Sequence, residues 1–84
     1  MEGTQVSGIG TLYARGRRSG IERVVPLRYT VTPGDGVLIS AGGRTEQWPL
    51  NLRAHPDCQF EITSQRRRYR AVEYAPRRFR LDPV

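Results

Sequence analysis

The sequence predicts a mainly β protein, a small antiparallel β-roll or barrel with one short helix. Three observations lead to this prediction. Several short segments alternate apolar and polar side chains with a period of two, which is typical of half-buried strands. Turns rich in glycine and proline separate these segments. Only one segment has a composition that favours a helix.

The first two strands lie in the N-terminal part of the chain. Residues 9–15, IGTLYAR, are rich in β-branched and aromatic residues and predict a strand. Residues 23–31, RVVPLRYTV, alternate most clearly, and the apolar face of that strand carries Val25, Leu27, Tyr29 and Val31. Because Pro26 has no backbone N–H, the strand is an edge strand there or carries a bulge.

A hairpin and the helix follow. The segment TPGDG at 32–36 has strong turn chemistry, and VLIS at 37–40 is predicted to return as the next strand. The helical candidate spans 44–55, RTEQWPLNLRAH, where Pro49 suits the first turn and Pro56 enforces the end.

The C-terminal part predicts two more strands. Residues 58–64, CQFEITS, alternate cleanly, and residues 69–75, YRAVEYA, follow a basic turn, QRRR, at 65–68. The tail from residue 76 has no assignment, and replacing Arg77 within it by alanine is expected to change cofactor binding little. Five strands are few for a closed barrel, so we expect either a sixth strand or a partner chain.

Length and composition set the scale. The chain has 84 residues, which predicts a single domain over 1–84. A domain this short buries only about 60–65% of its unfolded surface, so its own core is modest. Together with the shortage of strands, this predicts a homodimer.

The charge indicates an anionic partner. The formal net charge is +6, and all fourteen basic residues are arginine. Genomic base composition is one explanation of this bias. The other is chemical, since each guanidinium offers a planar fork suited to phosphate or carboxylate. We expect a nucleotide, a cofactor phosphate or nucleic acid as partner.

Cysteine usage and hydropathy bear on location. Cys58 is the only cysteine, so no intrachain disulfide forms, and a reducing compartment fits. No apolar run reaches transmembrane length, and the stretch MEGTQVSG at 1–8 lacks a signal-peptide profile. We expect a cytoplasmic protein without a membrane span.

Side-chain catalysis is not indicated. One histidine and one cysteine do not build a Cys/His metal cluster, and no third group orients the pair His55 and Cys58. We expect His55 to end the helix, where its imidazole can meet free carbonyls, and Cys58 to pack as a small hydrophobe. No pair of carboxylates has a spacing that indicates general acid–base catalysis. We predict no catalytic side chain and no metal, so the hard chemistry of an enzyme would come from a cofactor.

Two segments are candidates for holding an anionic cofactor. The connection 16–23 places Arg17, Arg18 and Arg23 within seven residues. The segment SAGG at 40–43 offers backbone N–H groups that can approach a phosphate, and the helix after it could aim its N-terminus at the same anion. The hairpin between the two segments can bring them near each other.

Four blocks of sequence then identify a family. They are GRRSG at 16–20, ERVVPLRY at 22–29, LISAGG at 38–43 and WPLNLRAHP at 48–56. In this order they resemble the deazaflavin-dependent nitroreductase family of split-β-barrel proteins, related to the FMN-binding pyridoxamine-phosphate-oxidase superfamily. The resemblance covers about residues 11–62. It implies a split barrel that binds coenzyme F-420, an 8-hydroxy-5-deazaflavin, and passes hydride to a small organic acceptor.

The resemblance also assigns cofactor-binding residues by position. Those that meet the phosphate and glutamate tail are Arg17, Arg18, Ser19 and Arg23. Those along the ring are Val25, Pro26 and Leu27. The second phosphate loop is Ser40, Gly42 and Gly43, and the helix beside the cofactor supplies Trp48 and Asn51.

The sequence departs from the family pattern in several places. Residue 41 is alanine where the loop is often basic, and the stretch 44–47 is shorter than in many members. We expect neither the usual N-terminal helix nor the C-terminal segment that supplies aromatic residues on the substrate side. The resemblance therefore indicates a cofactor more than it indicates any acceptor.

Alternatives stay open at this point. The chain could bind FMN, or it could be a non-enzymatic small barrel that binds another ligand or RNA. The run QRRRYR at 65–70 interleaves an aromatic with basic residues, as in RNA-binding surfaces, although a solvated hairpin turn is the simpler interpretation. The resemblance favours an anionic cofactor over nucleic acid as the partner. Trp48 likewise either packs on the sheet or contacts the cofactor.

Overall fold

The computed structural model describes residues 7–84. The N-terminal stretch at 1–8 and the predicted domain at 1–84 both include six residues outside this range. The strands are β1 (Ser7–Arg15), β2 (Glu22–Val31), β3 (Val37–Ser40), β4 (Asp57–Ile62), β5 (Gln65–Ala75) and β6 (Arg78–Pro83). The helix is α1 (Trp48–Ala54).

The strands form a closed antiparallel barrel in the order β1-β2-β3-β6-β5-β4, with β4 pairing back on β1. The prediction of a mainly β fold with one short helix is therefore confirmed. The sixth strand comes from the unassigned tail, where β6 pairs with β3 on one side and β5 on the other. The chain closes its own barrel, which removes the shortage of strands as a reason for a partner chain.

Inward side chains of the strands and of α1 fill the barrel. Tyr29 and Phe60 meet edge to face, with ring centroids 5.7 Å apart. Gly10 makes room for this pair, because a Cβ there would lie 2.5 Å from a ring carbon of Phe60. From α1, Trp48 and Leu52 enter the same core. The helix is thereby fixed on β1 and β5.

Strand β2 has an open edge. It pairs with β1 from Glu22 to Thr30 but with β3 only at Thr30 and Val31. Over 22–29, β2 has no neighbour on its second side among the described strands. Pro26 lies in this stretch, which confirms its predicted position on an edge.

The basic segment at 65–68 is not a turn, so that prediction is wrong. Thr63 and Ser64 form the turn with φ values of 49° and 66°, and Ile62 already pairs with Gln65. The segment instead begins β5. Tyr69, which follows it, is only 3% exposed and belongs to the core. The basic run therefore lacks the exposed aromatic ring that the RNA-binding alternative requires.

The helix is shorter than predicted at both ends. Residues 44–47 are turn and bend, and α1 begins at Trp48, with Pro49 in its first turn as expected. His55 does end the helix, but its backbone N–H, not its imidazole, meets the carbonyl oxygen of Asn51 at 2.8 Å. No helix among residues 7–84 is long and apolar enough to cross a bilayer.

Cys58 packs in the core as predicted. It is 7% exposed, and burial raises the pKa of its thiol to about 12. A thiolate is therefore disfavoured at neutral pH, which argues against a nucleophilic role.

Candidate functional site: an arginine-lined cleft

A cleft of about 970 Å³ opens between the β1–β2 connection, the open edge of β2 and the start of α1. This volume is at the upper end of the usual range for ligand pockets, about 300–1,000 Å³. Nine of the twelve predicted cofactor-binding residues line it. The three that do not are Ser40, Gly42 and Gly43.

The β1–β2 connection, residues 16–21, forms a compact turn that we call the arginine loop. Gly16 N–H donates to the carbonyl oxygen of Ile21 at 2.8 Å, and Gly20 N–H donates to that of Gly16 at 2.9 Å. Gly20 has a φ of 72°, which favours glycine. Ser19 Oγ accepts from Ile21 N–H at 3.1 Å, so its hydroxyl hydrogen stays free to donate. Three backbone N–H groups of the loop are therefore satisfied within it, and the loop presents its side chains.

Arg17 connects the arginine loop to α1. Its backbone N–H and its Nη1 both donate to Asn51 Oδ1 at 3.0 Å, and its Nη2 donates to Gln47 Oε1 at 2.8 Å. Asn51 is the one buried polar residue recorded in the described chain, 5% exposed. Because both acceptors are neutral amides, they orient the guanidinium without neutralising its charge.

The other two predicted arginines that line the cleft are available to a ligand. Arg18 and Arg23 are exposed, and neither has a hydrogen-bond or ion-pair partner among residues 7–84. The nearby carboxylate of Glu22 is paired with Arg66, whose Nη2 donates to it at 2.8 Å. The described structure therefore keeps three positive charges at one end of the cleft.

The open edge of β2 supplies an apolar wall. Val25 and Leu27 are half-buried, and Pro26 between them is exposed. Trp48 borders the cleft but is only 3% exposed, since its ring packs on Phe79 with centroids 5.5 Å apart. The interpretation that Trp48 packs on the sheet is therefore confirmed, and its contact with a cofactor stays a prediction.

The segment 40–43, which we call the glycine loop, differs from the prediction. Gly42 and Gly43 donate their backbone N–H groups to Glu46 Oε1 at 2.9 and 3.2 Å. Trp48 Nε1 donates to Glu46 Oε2 at 2.7 Å. A carboxylate of the chain itself thus takes the donors that were predicted to hold a phosphate. Ser40 is exposed at the end of β3, outside the cleft.

Arg77 braces this loop from the β5–β6 turn. Its Nη2 donates to the carbonyl oxygens of Gly43 at 2.7 Å and of Glu46 at 3.0 Å. Its backbone N–H donates to Glu73 Oε2 at 2.9 Å, and its φ is 60°. Arg77 therefore has a structural role in this region, and its small expected effect on cofactor binding stays a prediction.

Sequence patterns did not reveal Glu46, Gln47 or Arg77 as residues of this region. For Glu46 a signal existed, because an acidic side chain three or four residues after a Gly-Gly turn can reach the N–H groups of that turn. For Arg77 there was none, since its two carbonyl partners lie 34 and 31 residues away in the chain.

The cleft can bind and orient a ligand, and its lining includes no histidine or cysteine. One end is cationic, the β2 edge is apolar, and Glu46 contributes a carboxylate on the α1 side. Such a lining fits a flat ring with an anionic extension.

Comparison with known proteins gives a consistent result. The sequence profile of the F420H(2)-dependent quinone reductase family matches residues 1–81. A Mycobacterium tuberculosis protein that carries the provisional name F420H(2)-dependent quinone reductase is 44% identical over 62 residues, which is 69% of this chain and 51% of that protein. The chain thus spans about half the length of this curated relative. Because the profile covers almost the whole chain, the chain belongs to the F420H(2)-dependent quinone reductase family.

Proposed function

We propose that the chain binds coenzyme F-420 in the arginine-lined cleft and serves in hydride transfer from the reduced coenzyme to a quinone. The observation that supports this most is the group of three guanidiniums, unneutralised by described residues, at one end of a cleft with an apolar wall. The family to which the chain belongs names both the coenzyme and the acceptor class.

The residues present fit this coenzyme. Its tail carries a phosphate and several glutamates, and charge-assisted bonds from arginine suit both groups. Its ring is flat, and a face of such a ring can pack on the apolar edge formed by Val25, Pro26 and Leu27. The volume of about 970 Å³ leaves room for a ligand of this size.

Each group of side chains has a separate task in this proposal. Arg18 and Arg23 bind the tail directly. Arg17, held by Asn51 and Gln47, presents its charge in a fixed position and keeps the arginine loop against α1. Val25 and Leu27 support the ring and exclude water from one of its faces. When bound, the deazaflavin supplies the hydride chemistry, and the chain supplies binding and orientation.

Turnover with a soluble quinone tests the proposal. Reduced coenzyme F-420 is incubated anaerobically with the protein, a short-chain quinone is added, and the return of the oxidised deazaflavin absorbance is followed. We expect quinone-dependent oxidation that saturates with coenzyme. Arg18→Ala should raise the KM for the coenzyme by about tenfold or more, because a charge-assisted bond is lost.

Arg28→Ala is the matched control for this experiment. Arg28 lies on the same strand as Arg23, is exposed, and does not line the cleft. Its removal should change the KM by less than about twofold, since it lowers the net charge without touching the site. Equal effects of the two variants would contradict a specific site, and binding without turnover would indicate a carrier instead of an enzyme.

Three further predictions accompany the proposal. FMN, the alternative cofactor, has one phosphate and no glutamates, so it should leave part of the arginine end without a partner and bind more weakly.

The predicted homodimer now depends on the modest core alone, because β6 closes the barrel within one chain. Sedimentation at micromolar concentration tests the dimer. The cytoplasmic location depends on the single cysteine and stays a prediction.

A further inference from the structure

We infer that Glu46 determines which end of the cleft receives the anionic part of the ligand. Its carboxylate occupies the donors of the glycine loop, so phosphate is held by the arginine loop alone. For the coenzyme this inference rests on the proposed function, whereas its first step concerns phosphate in general.

The geometry is that of a filled anion site. The N–H groups of Gly42 and Gly43 converge on one oxygen of Glu46, and the indole N–H of Trp48 meets the other, at 2.9, 3.2 and 2.7 Å. Successive backbone N–H groups in a turn are a common way for proteins to hold an anion. Here all three donors have a partner from within the chain.

The Glu46 carboxylate is hard to displace from the glycine loop because both belong to the same short stretch of chain. Glu46 lies only three and four residues from its backbone donors, so its effective concentration at the loop is on the order of millimolar or higher. Arg77 holds the same loop from outside through the carbonyl oxygens of Gly43 and Glu46. Free phosphate must therefore compete with an intramolecular anion in a braced loop.

Positive and negative side chains are distributed unevenly in the cleft. The donors that Glu46 meets are neutral, and no arginine among residues 7–84 forms an ion pair with its carboxylate. Glu22, the other acidic residue of the cleft, is paired with Arg66. Glu46 therefore contributes a negative charge on the α1 side of the cleft, while Arg17 and Arg18 of the arginine loop and Arg23 of β2 contribute three positive ones. A ligand with one anionic end is oriented by this field.

Phosphate binding followed by NMR tests the first step. The labelled apo protein is titrated with inorganic phosphate at constant ionic strength, and the backbone amides of Arg18, Ser19, Gly42 and Gly43 are monitored. In the unmodified chain we expect shifts in the arginine loop and none in the glycine loop. In Glu46→Ala the amides of Gly42 and Gly43 should shift saturably, with an affinity about tenfold or more above that of the unmodified loop.

Two further variants keep the result decisive. Glu46→Gln removes the charge but keeps one oxygen for the glycine amides, so the loop response should fall between those of the unmodified chain and Glu46→Ala. If Glu46→Ala disturbs the glycine loop, the result for Glu46→Gln alone decides. A phosphate response of Gly42 and Gly43 in Glu46→Gln that is no larger than in the unmodified chain then overturns the inference. Glu22→Ala removes an equal charge from the same cleft and should leave the glycine loop unresponsive.

Three outcomes count against the inference. Gly42 and Gly43 could respond to phosphate in the unmodified chain as strongly as in Glu46→Ala. They could stay silent in a folded Glu46→Ala. Glu22→Ala could open the loop as well as Glu46→Ala does, which would make the effect one of net charge.

The same spectra with coenzyme F-420 separate this inference from the proposed function. We expect the coenzyme to shift the arginine-loop amides and leave those of Gly42 and Gly43 in place. If the coenzyme shifts the glycine amides of the unmodified chain, the orientation is wrong although the proposed function survives. If the coenzyme does not bind at all, the proposed function fails while the phosphate results still decide the role of Glu46.

Discussion

The arginine loop and the glycine loop are alike in sequence and different in structure. Each is short, contains serine and two glycines, and adjoins an arginine. In the arginine loop the backbone N–H groups of Gly16, Gly20 and Ile21 bond within the loop, and the guanidinium of Arg18 is left for a ligand. In the glycine loop the N–H groups themselves would be the ligand donors, but Glu46 has taken them. An anion site is therefore defined by donors that lack an internal partner, and the presence of glycines alone does not define it.

The largest expected effect is on coenzyme affinity, which substitutions at the arginine end should lower and a substitution in the glycine loop should not. Arg18→Ala and Arg23→Ala should each weaken coenzyme F-420 binding by about 1–3 kcal/mol, the scale of a lost charge-assisted bond. Gly43→Ala should leave the affinity unchanged, because a Cβ at that position meets no heavy atom within 4 Å. A fluorescence titration of the deazaflavin measures all three. If Gly43→Ala were as damaging as Arg18→Ala, the comparison between the loops would collapse.

The second expected effect concerns the attachment of the arginine loop to α1. Arg17→Ala and Asn51→Ala each remove the bonds between Arg17 and the buried amide, so the free energy of unfolding should fall by about 1–2 kcal/mol. Coenzyme affinity should fall as well. Chemical denaturation measures the stability, with Arg18→Ala as a control that should stay within about 0.5 kcal/mol. Equal stabilities of Arg17→Ala and Arg18→Ala would show that Arg17 is not a structural residue.

The third expected effect is on the glycine loop. Arg77→Ala removes two hydrogen bonds to backbone carbonyls and should lower the free energy of unfolding by about 1 kcal/mol. Coenzyme affinity should change by less than about twofold, because the loop it braces holds no phosphate in this account. Its exposed neighbour provides the control, Arg78→Ala. A large loss of affinity in Arg77→Ala without a loss of stability would place the glycine loop in the binding site.

The smallest expected effect is a pH dependence at the far end of α1. Arg53 donates to both carboxylate oxygens of Glu73 on β5, at 2.8 and 2.7 Å, and this guanidinium lowers the pKa of Glu73 from 4.5 to about 2. Because the folded pKa is the lower one, the stabilisation is complete above about pH 4.5 and is lost as the pH falls toward 2. The pair is partly exposed, so the effect is small.

Denaturation at a series of pH values checks this last effect, with Glu73→Gln as the comparison. The stability difference between the two proteins should be present at neutral pH and should shrink as the pH falls toward 2. A difference that stays constant would mean that the ion pair contributes nothing.

Most strands were predictable because one face of each is buried. The alternation in β2 and β4 sets Val25, Leu27 and Phe60 inward, and that period is visible without a structure. The start of β5 was not visible, because Gln65 to Arg68 are all exposed and carry no alternation. Its turn also lacks the usual glycine or asparagine, since Thr63 and Ser64 adopt the positive φ values.

The candidate site was partly predictable for a similar reason. The arginines and the apolar edge of β2 are local patterns, and the structure brings them to one cleft. The state of the glycine loop depends on a side-chain carboxylate and on Arg77, a residue 34 positions from Gly43. Glycine spacing indicates which N–H groups could meet an anion, but it does not indicate whether a side chain has already reached them.

We propose that an arginine end of the cleft recognises the tail of the coenzyme while an apolar edge supports its ring. Calorimetric titration of the unmodified protein with coenzyme F-420 and with FMN, each at low and high salt, tests it most directly. We predict tighter binding of F-420, with a preference that shrinks as salt rises, because exposed ion pairs are screened over about 8–10 Å at ordinary ionic strength. Contacts to Val25 and Leu27 should be nearly independent of salt, since they bury apolar surface. Tighter binding of FMN at every salt concentration, or binding of neither compound, would contradict the claim.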